Sequence, residues 1–276
     1  MAGIPQEMFL LACTSAPNDS VVAEASVVDV QLEDGSYSVV VPSSWPGAVV
    51  PVLLHLHGHN GNVERSLQAL DMDQANDMAT LLVYPQGQDE TWTVMGENLG
   101  GSGRDDLAFL TAVMDDVAAK WPVDRARTYV SGFSLGGSMT LTVLCMGLEG
   151  WTFAAAAPAS GGWWEPMPAT CAAPPTPLCR IHGTEDTQWT WEGREVTEED
   201  GGPYQQIGVE EDVAWWREHN QCTSLEPQDP VVAGDLSCSY WSECEATVGL
   251  CTYEGGHKPV HEWLLRELEW MKGFSR

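Results

Sequence analysis

Residues 128–137 read TYVSGFSLGG, and this segment carries the most information about the fold. It starts with β-branched and aromatic residues typical of a strand. The apolar run that begins directly after Ser134, residues 135–146, predicts a helix. Two glycines flank Ser134, and glycine allows a sharp backbone turn without a Cβ clash. The segment therefore predicts a tight strand-to-helix turn that exposes the hydroxyl of Ser134.

A G-x-S-x-G match by itself is weak, since average glycine and serine usage yields roughly one in every ten chains of this length. The strand before it and the helix after it are what favour a nucleophile elbow over an ordinary turn without chemistry. The unpaired N–H groups at the helix N-terminus could also stabilise a developing oxyanion. Ser134 is accordingly the candidate nucleophile, and the N–H of Leu135 is a candidate oxyanion donor.

On both sides of this turn, short apolar runs alternate with longer amphipathic stretches. The predicted strands are residues 51–57, 80–84, 127–132, 153–158, 177–182 and 248–253, and the predicted helices are residues 63–78, 105–119, 135–146, 209–218 and 260–271. This order indicates βαβ crossovers, and therefore an α/β fold with a mostly parallel central sheet and helices on both faces. Asp34-Gly35 between alternating runs adds an N-terminal antiparallel hairpin. We expect residues 1–24 to be irregular, residues 25–276 to form one catalytic domain, and residues 192–202 to be a solvated loop.

The composition limits the partners. The chain has 276 residues, with 40 acidic and 12 basic side chains and a formal net charge of -28. Such a surface repels phosphate backbones and anionic membranes, so a nucleic-acid partner is not expected. No uninterrupted apolar run is long enough to cross a bilayer. The dispersed acidity fits either a saline habitat or an ordinary acidic secreted protein. We expect a monomer.

Eight cysteines bear on the compartment. They form no CxxC pair, and zinc-ligand spacing is absent. An even number in a domain of this size favours disulfides and an oxidising environment over buried thiols in a cytosolic enzyme. Residues 8–13 are similar to the end of a lipoprotein signal, although no basic region precedes them. The chain is therefore predicted to be secreted or extracellular, with a periplasmic or lipid-anchored location as alternatives.

A serine nucleophile needs a base, an acid and an oxyanion hole. In the α/β-hydrolase fold these follow the chain order Ser, acid, His, which favours a late histidine. His257, after Gly-Gly and a predicted strand, fits better than His261, which lies within the last predicted helix. Glu185 and Asp186 both follow a strand and both qualify as the acid. The backbone N–H of His59, after Gly58, is the second predicted oxyanion donor beside that of Leu135.

Seven sequence blocks together resemble the polyhydroxybutyrate depolymerase-like esterases, a group that includes feruloyl and acetyl-xylan esterases. The blocks are VLLHLHG (52–58), YPQG (84–87), RDDLAFL (104–110), VDRARTYVSGFSLGG (123–137), IHGTED (181–186), WWREHNQC (215–222) and GGH (255–257). The resemblance implies the α/β-hydrolase fold and selects Asp186 as the acid. The chain differs from the family at Lys258 and at residues 187–191, both beside the expected pocket.

The resemblance also implies a disulfide between Cys222 and Cys244. Cys238 and Cys251 are a further candidate pair, because they could face each other on neighbouring strands. Cys171 and Cys179 are a third candidate pair, with Cys145 as an alternative partner for either.

These inferences predict a serine carboxylic-ester hydrolase that acts on a small-molecule or polymeric ester. It would use a triad of Ser134, His257 and Asp186 and an acyl-enzyme intermediate, and no metal or cofactor. A peptidase or thioesterase on the same fold and a non-catalytic binding module are the alternatives. Four tryptophans follow strands at the carboxyl edge of the sheet, where ligands bind, and either form a rim for polyhydroxyalkanoate, feruloyl or other aromatic or bulky esters or pack under loops. They are Trp163, Trp164, Trp189 and Trp191.

Overall fold

The structure, a computed structural model, describes residues 24–68, 70–95, 103–197, 203–259 and 261–276. Apart from residue 24, the predicted irregular segment 1–24 lies outside this range. The described strands are β1 (Ser26–Leu32), β2 (Gly35–Val41), β3 (Val50–Leu56), β4 (Leu81–Pro85), β5 (Val123–Phe133), β6 (Ala155–Ala159), β7 (Leu178–Gly183), β8 (Gly193–Val196), β9 (Tyr204–Ile207), β10 (Val231–Ala233), β11 (Leu236–Trp241) and β12 (Val248–Tyr253). The described α-helices are α1 (Val63–Gln68), α2 (Met72–Asp77), α3 (Asp106–Lys120), α4 (Leu135–Met146), α5 (Val209–His219) and α6 (His261–Met271).

Ten of these strands form one sheet in the order β1-β2-β4-β3-β5-β6-β7-β12-β11-β10. The six central strands of this order, β4, β3, β5, β6, β7 and β12, are parallel to one another. At one edge the hairpin of β1 and β2 pairs with β4 through antiparallel β2. At the other edge β11 is antiparallel to β12, and β10 is antiparallel to β11. The predicted mostly parallel sheet and the N-terminal hairpin are therefore confirmed.

Helices cover both faces of the sheet, as predicted. One core contains Phe109 of α3, Met139 of α4 and Trp216 of α5. The opposite core contains Ala75 of α2 and Leu268 of α6, with α1 packed against it. Because β3, β4 and β6 are buried between these layers, their side chains are almost uniformly apolar.

The structure corrects two predicted elements. Residues 63–78 do not form one helix, because a second helix starts at Met72 after Asp71, whose carboxylate accepts hydrogen bonds from the N–H groups of Asp73 and Gln74. The predicted solvated loop at 192–202 contains β8, which pairs with β9 in a separate two-stranded sheet. Residues 198–202 lie outside the described part of the chain.

Three disulfides are present among the described residues. Cys222–Cys244 and Cys238–Cys251 are bonded as predicted, and Cys171 pairs with its alternative partner Cys145. The candidate pair Cys171–Cys179 is wrong, because Cys171 is bonded to Cys145. Cys179 lies on β7 as a free thiol, 3.2 Å from the sulfur of Cys251. No described helix is both long and apolar enough to span a bilayer.

Candidate active site

The turn between β5 and α4 holds Ser134 in a strained backbone conformation. Its φ is 56° and its ψ is -122°, a combination that non-glycine residues rarely adopt. The N–H of Ser134 donates to the carbonyl of Ala159 on the adjacent strand, at 2.8 Å. This anchored turn lifts the serine side chain out at the carboxyl end of the sheet, as the sequence pattern predicts.

The glycines around Ser134 are required by close backbone contacts. A Cβ at Gly132 would lie 2.3 Å from the carbonyl oxygen of Gly136. A Cβ at Gly136 would lie 2.0 Å from the carbonyl oxygen of Leu56 on β3. Neither position can hold a side chain without moving the backbone, so the G-x-S-x-G spacing is a packing constraint as well as a turn signal.

The structure brings Ser134, His257 and Asp186 into one hydrogen-bonded chain. Ser134 Oγ lies 2.8 Å from His257 Nε2, and His257 Nδ1 lies 2.7 Å from Asp186 Oδ2. With Asp186 ionised, Nδ1–H donates to the carboxylate, and Nε2 is left to accept the hydroxyl proton of Ser134. This arrangement can draw a proton from the serine as its oxygen attacks an electrophile.

The carboxylate of Asp186 is fixed by its own turn. Its Oδ1 accepts hydrogen bonds from the N–H groups of Gln188 and Trp189, both at 2.9 Å, which leaves Oδ2 for His257. Burial alone would raise the pKa of Asp186, but the hydrogen bonds from His257 and Trp189 outweigh it and hold the pKa below its ordinary value. Glu185, the other acid that the sequence left open, is exposed and takes no part in this chain.

A buried histidine supports the same turn. His182 Nε2 donates to the carbonyl of Trp189 at 2.9 Å, and its side chain is fully buried. Burial, and then the nearby guanidinium of Arg180, lower the pKa of His182 to about 4. His182 is therefore neutral at physiological pH and acts as a structural hydrogen-bond donor.

The loop after β3 passes directly beside the nucleophile. A Cβ at Gly58 would lie 3.2 Å from the Cβ of Ser134. Among the described residues, the N–H of His59 has no backbone acceptor, and the N–H of Leu135 has none outside α4. Both predicted oxyanion donors thus belong to segments next to Ser134.

His57, to which the sequence assigned no catalytic role, braces this loop. Its Nε2 accepts the N–H of Gly87 at 2.9 Å, so its Nδ1–H donates to the carbonyl of Gly58 at 2.8 Å. The indole of Trp92 donates to the carbonyl of His57 at 2.8 Å. Burial lowers the pKa of His57 and favours this neutral form. The YPQG block, residues 84–87, supplies Gly87 and is the sequence feature from which this support could have been recognised.

The predicted tryptophan rim is wrong for three of its four members. Trp163, Trp164 and Trp189 are only 1–6% exposed and belong to the core. Trp163 stacks on Trp216, while Trp164 meets Trp189 edge to face. These three residues come after strand ends, as the sequence indicates, but β9 and α5 cover their indoles. Such contacts between distant segments cannot be inferred from the position of a residue after a strand. The fourth, Trp191, is half-buried, and its Nε1 donates to Glu210.

Comparisons with known proteins give distant esterase relatives, whereas no family model matches the chain. Feruloyl esterase B of Piromyces equi is 26% identical over 232 residues, 79% of this chain but 41% of that protein. Feruloyl esterase C of Emericella nidulans is 24% identical over 237 residues, covering 82% and 77% of the two chains. Poly(3-hydroxyalkanoate) depolymerase C of Paucimonas lemoignei is 29% identical over 160 residues, 55% of this chain and 36% of that one. The chain thus spans less than half of the first and third of these relatives.

Solved structures match the fold over nearly the whole chain. An acetyl xylan esterase from Aspergillus awamori superposes with a TM-score of 0.63 at 15% identity, covering 90% of this chain and 99% of that one. A thermostable esterase superposes with a TM-score of 0.58 at 17% identity, covering 92% and 64%. At these identities the matches show the fold alone, which is the predicted α/β-hydrolase fold.

Proposed function

We propose that this chain, which has the α/β-hydrolase fold and is related to feruloyl esterases, acetylxylan esterases and polyhydroxyalkanoate depolymerases, is a serine carboxylic-ester hydrolase. The observation that carries the proposal is the chain of hydrogen bonds from Ser134 Oγ through the His257 ring to Asp186, at 2.8 and 2.7 Å. A nucleophile, a base and an orienting acid in this geometry are the requirements for acyl transfer.

In the proposed reaction, Ser134 Oγ attacks the ester carbonyl carbon while His257 Nε2 takes the hydroxyl proton. Asp186 stabilises the imidazolium that results. The N–H groups of Leu135 and His59 hold the oxyanion of the tetrahedral intermediate, each worth about 3 kcal/mol of transition-state stabilisation. The imidazolium then protonates the departing alcohol. Water attacks the acyl-enzyme carbonyl while His257 takes its proton, and the imidazolium returns a proton to Ser134 Oγ as the acid product leaves.

The substrate class rests on the relatives. Among carboxylic esters, we favour feruloyl, polyhydroxyalkanoate and other aromatic or bulky esters, since related proteins carry the names feruloyl esterase and poly(3-hydroxyalkanoate) depolymerase. The buried tryptophans give this preference no support. The three disulfides favour an oxidising, extracellular compartment for the reaction.

The experiment compares Ser134→Ala with the parent on a panel of p-nitrophenyl, feruloyl and polyhydroxybutyrate esters. We expect the variant to fold and to lose activity on the order of 10⁶-fold in kcat. Ser44→Ala, at an exposed serine between β2 and β3, is the matched control and should keep full activity. A serine-directed phosphonate should label the peptide that contains Ser134 and no other. Substantial turnover by Ser134→Ala would overturn the proposal.

A further inference from the structure

The last residue of β12 is Tyr253, whose side chain lies between the turn that carries Asp186 and the loop that carries His257. The side chain is only 4% exposed. The carbonyl of Tyr253 accepts the N–H of Thr184 at 2.9 Å, so its main chain is bonded to the start of the Asp186 turn. No step of the proposed reaction uses the phenol, although it is buried beside two members of the triad.

The phenolic oxygen of Tyr253 is bonded to the main chain on both sides of His257. Its hydroxyl donates to the carbonyl of Gly256 at 2.6 Å. The same oxygen accepts the backbone N–H of Lys258. That carbonyl and that N–H belong to the two peptide units that flank His257, so one side chain holds both of them. We call Tyr253, Gly256 and Lys258 the phenol clasp.

Two glycines make room for the ring of Tyr253. A Cβ at Gly183, the last residue of β7, would lie 2.8 Å from both Cζ and Oη of Tyr253. A Cβ at Gly255 would lie 2.9 Å from Tyr253 Cε2. Both separations are well below the distance of about 3.5 Å at which non-bonded carbon atoms pack. The ring is therefore packed closely between the end of β7 and the loop of the proposed base.

The phenol is present as the protonated donor that the clasp requires. Burial raises the pKa of Tyr253 above its ordinary value, and this effect outweighs the hydrogen bonds that favour the phenolate, that of the Lys258 N–H among them. The hydroxyl can therefore donate to the carbonyl of Gly256 at neutral pH.

The loop needs such a restraint, because its own sequence is permissive. Gly255 and Gly256 directly precede His257, and glycine has more backbone freedom than any other residue. A general base must stay within hydrogen-bond reach of the group whose proton it takes. A displacement of about 1 Å can cost on the order of 10²-fold in rate. Fixing the main chain at His257 therefore bears directly on its contact with Ser134.

We propose that Tyr253 is a positioning residue, whose hydroxyl fixes the main chain on both sides of His257 and so keeps the imidazole within reach of Ser134. The inference rests on the proposed ester hydrolysis at Ser134. Tyr253 acts through the loop and not on the substrate. Loss of its hydroxyl should therefore slow the chemistry without weakening substrate binding.

The experiment compares Tyr253→Phe with the parent on p-nitrophenyl acetate. Phenylalanine keeps the ring beside Gly183 and Gly255, so we expect the variant to fold. Its kcat should fall about tenfold while KM changes by less than about twofold, because the base serves acylation and deacylation alike. The rate at which a serine-directed phosphonate labels Ser134 should fall by a similar factor, since that reaction uses the same base.

Hydrogen exchange measured by mass spectrometry reports on the loop directly and does not depend on ester hydrolysis. In Tyr253→Phe, peptides that cover residues 254–259 should exchange faster than in the parent, with little change elsewhere. Tyr129→Phe is the matched control, because the Tyr129 hydroxyl also donates to a main-chain carbonyl, that of Phe274 at 3.1 Å in the C-terminal segment. It should keep the parent kcat and the parent exchange of residues 254–259.

Gly255→Ala disturbs the phenol clasp without removing the hydroxyl. The added methyl group would overlap the Tyr253 ring and displace it, so kcat should again fall while KM is kept. The double variant Tyr253→Phe/Gly255→Ala should lose little more than the slower single variant, because both changes act on the same contact. If Tyr253→Phe does not fold, Gly255→Ala supplies the kinetic test.

The possible failures are distinguishable. Parent-like kcat and exchange in Tyr253→Phe would overturn the inference and leave ester hydrolysis intact. A higher KM with an unchanged kcat would also contradict it, because that result would assign Tyr253 to substrate binding. An equal loss of kcat in Tyr129→Phe would show a general effect of destabilisation instead of positioning. Activity retained by Ser134→Ala would overturn the proposed hydrolysis and, with it, the role of Tyr253 toward Ser134.

Discussion

The backbone N–H of Glu185 donates to the carbonyl of Gly255 at 2.9 Å, and this bond ties the turn that carries Asp186 to the loop that carries His257. The two segments follow β7 and β12, which are paired in parallel with Tyr253 opposite Gly183. The distance between acid and base is therefore set by main-chain pairing. This explains how residues 71 positions apart in the sequence are held at 2.7 Å.

The first prediction distinguishes the two acids of this turn. Asp186→Asn should lower kcat on a good ester by about 10⁴-fold, because an amide can no longer hold the His257 tautomer that accepts the serine proton. Glu185→Gln is the control and should remain close to the parent, since its side chain is exposed. Steady-state kinetics at neutral pH measures both. Equal losses in the two variants would contradict the assignment of Asp186.

The second prediction concerns the dependence of stability on pH. The pKa of His182 is lowered to about 4 in the folded protein, against an ordinary value of 6.5. The unfolded chain therefore binds more protons between these two values, and the stability contributed by neutral His182 is full above pH 6.5 and lost as the pH falls toward 4. The loss attributable to this group is on the order of 3 kcal/mol. Urea unfolding of the parent from pH 7.5 to 4.5 measures the change.

His182→Gln isolates this contribution, because Gln does not titrate and its amide can still donate to the carbonyl of Trp189. We expect a shallower decrease in the free energy of unfolding between pH 6.5 and 4.5 than in the parent. Burial also lowers the pKa of His57, and His57 stays in both proteins as a common background. Parallel pH curves for parent and variant would show that His182 is not the responsible group.

The third prediction concerns the thiol of Cys179. Burial raises the pKa of Cys179 to about 12, so almost none of the reactive thiolate exists at pH 8. We expect iodoacetamide to leave Cys179 unmodified in the native protein and to modify it after denaturation without reductant. Peptide mapping by mass spectrometry identifies the site. Rapid modification of Cys179 in the folded protein would refute the prediction.

The fourth prediction concerns the glycine behind the nucleophile. Gly136→Ala should destabilise the protein by about 3 kcal/mol or more, since the added methyl group would overlap the carbonyl oxygen of Leu56. Gly256→Ala is the comparison, because a Cβ there would meet only the carbonyl oxygen of Glu185, at an ordinary contact distance of 3.5 Å, and Gly256 does not have a positive φ. It should change the free energy of unfolding by no more than about 1 kcal/mol. Thermal and urea unfolding measure both values, and similar losses would mean that the backbone around Gly136 shifts easily to admit a methyl group.

Local sequence pattern was sufficient to predict the N-terminal hairpin, the six parallel strands and most of the helices, but not β8, β9 or β10, and it made Ser134 the candidate nucleophile. The run from Thr128 to Gly137 predicted the strand, the turn and the helix around Ser134, because glycine spacing and apolar periodicity act within a few residues. The alternation of such segments predicted the parallel sheet with helices on both faces. The order of serine, acid and histidine along the chain followed from the same fold.

Which side chains lie together became clear only from the folded chain. Folding buries Asp186 beside His257 and leaves Glu185 exposed, although the two are neighbours in sequence. It pairs Cys145 with Cys171, and it covers Trp163 and Trp189 instead of leaving them at a rim. These outcomes depend on contacts across crossovers and between layers. Residue periodicity reports only which face of its own element a side chain occupies. It carries no information about the partner that covers that face.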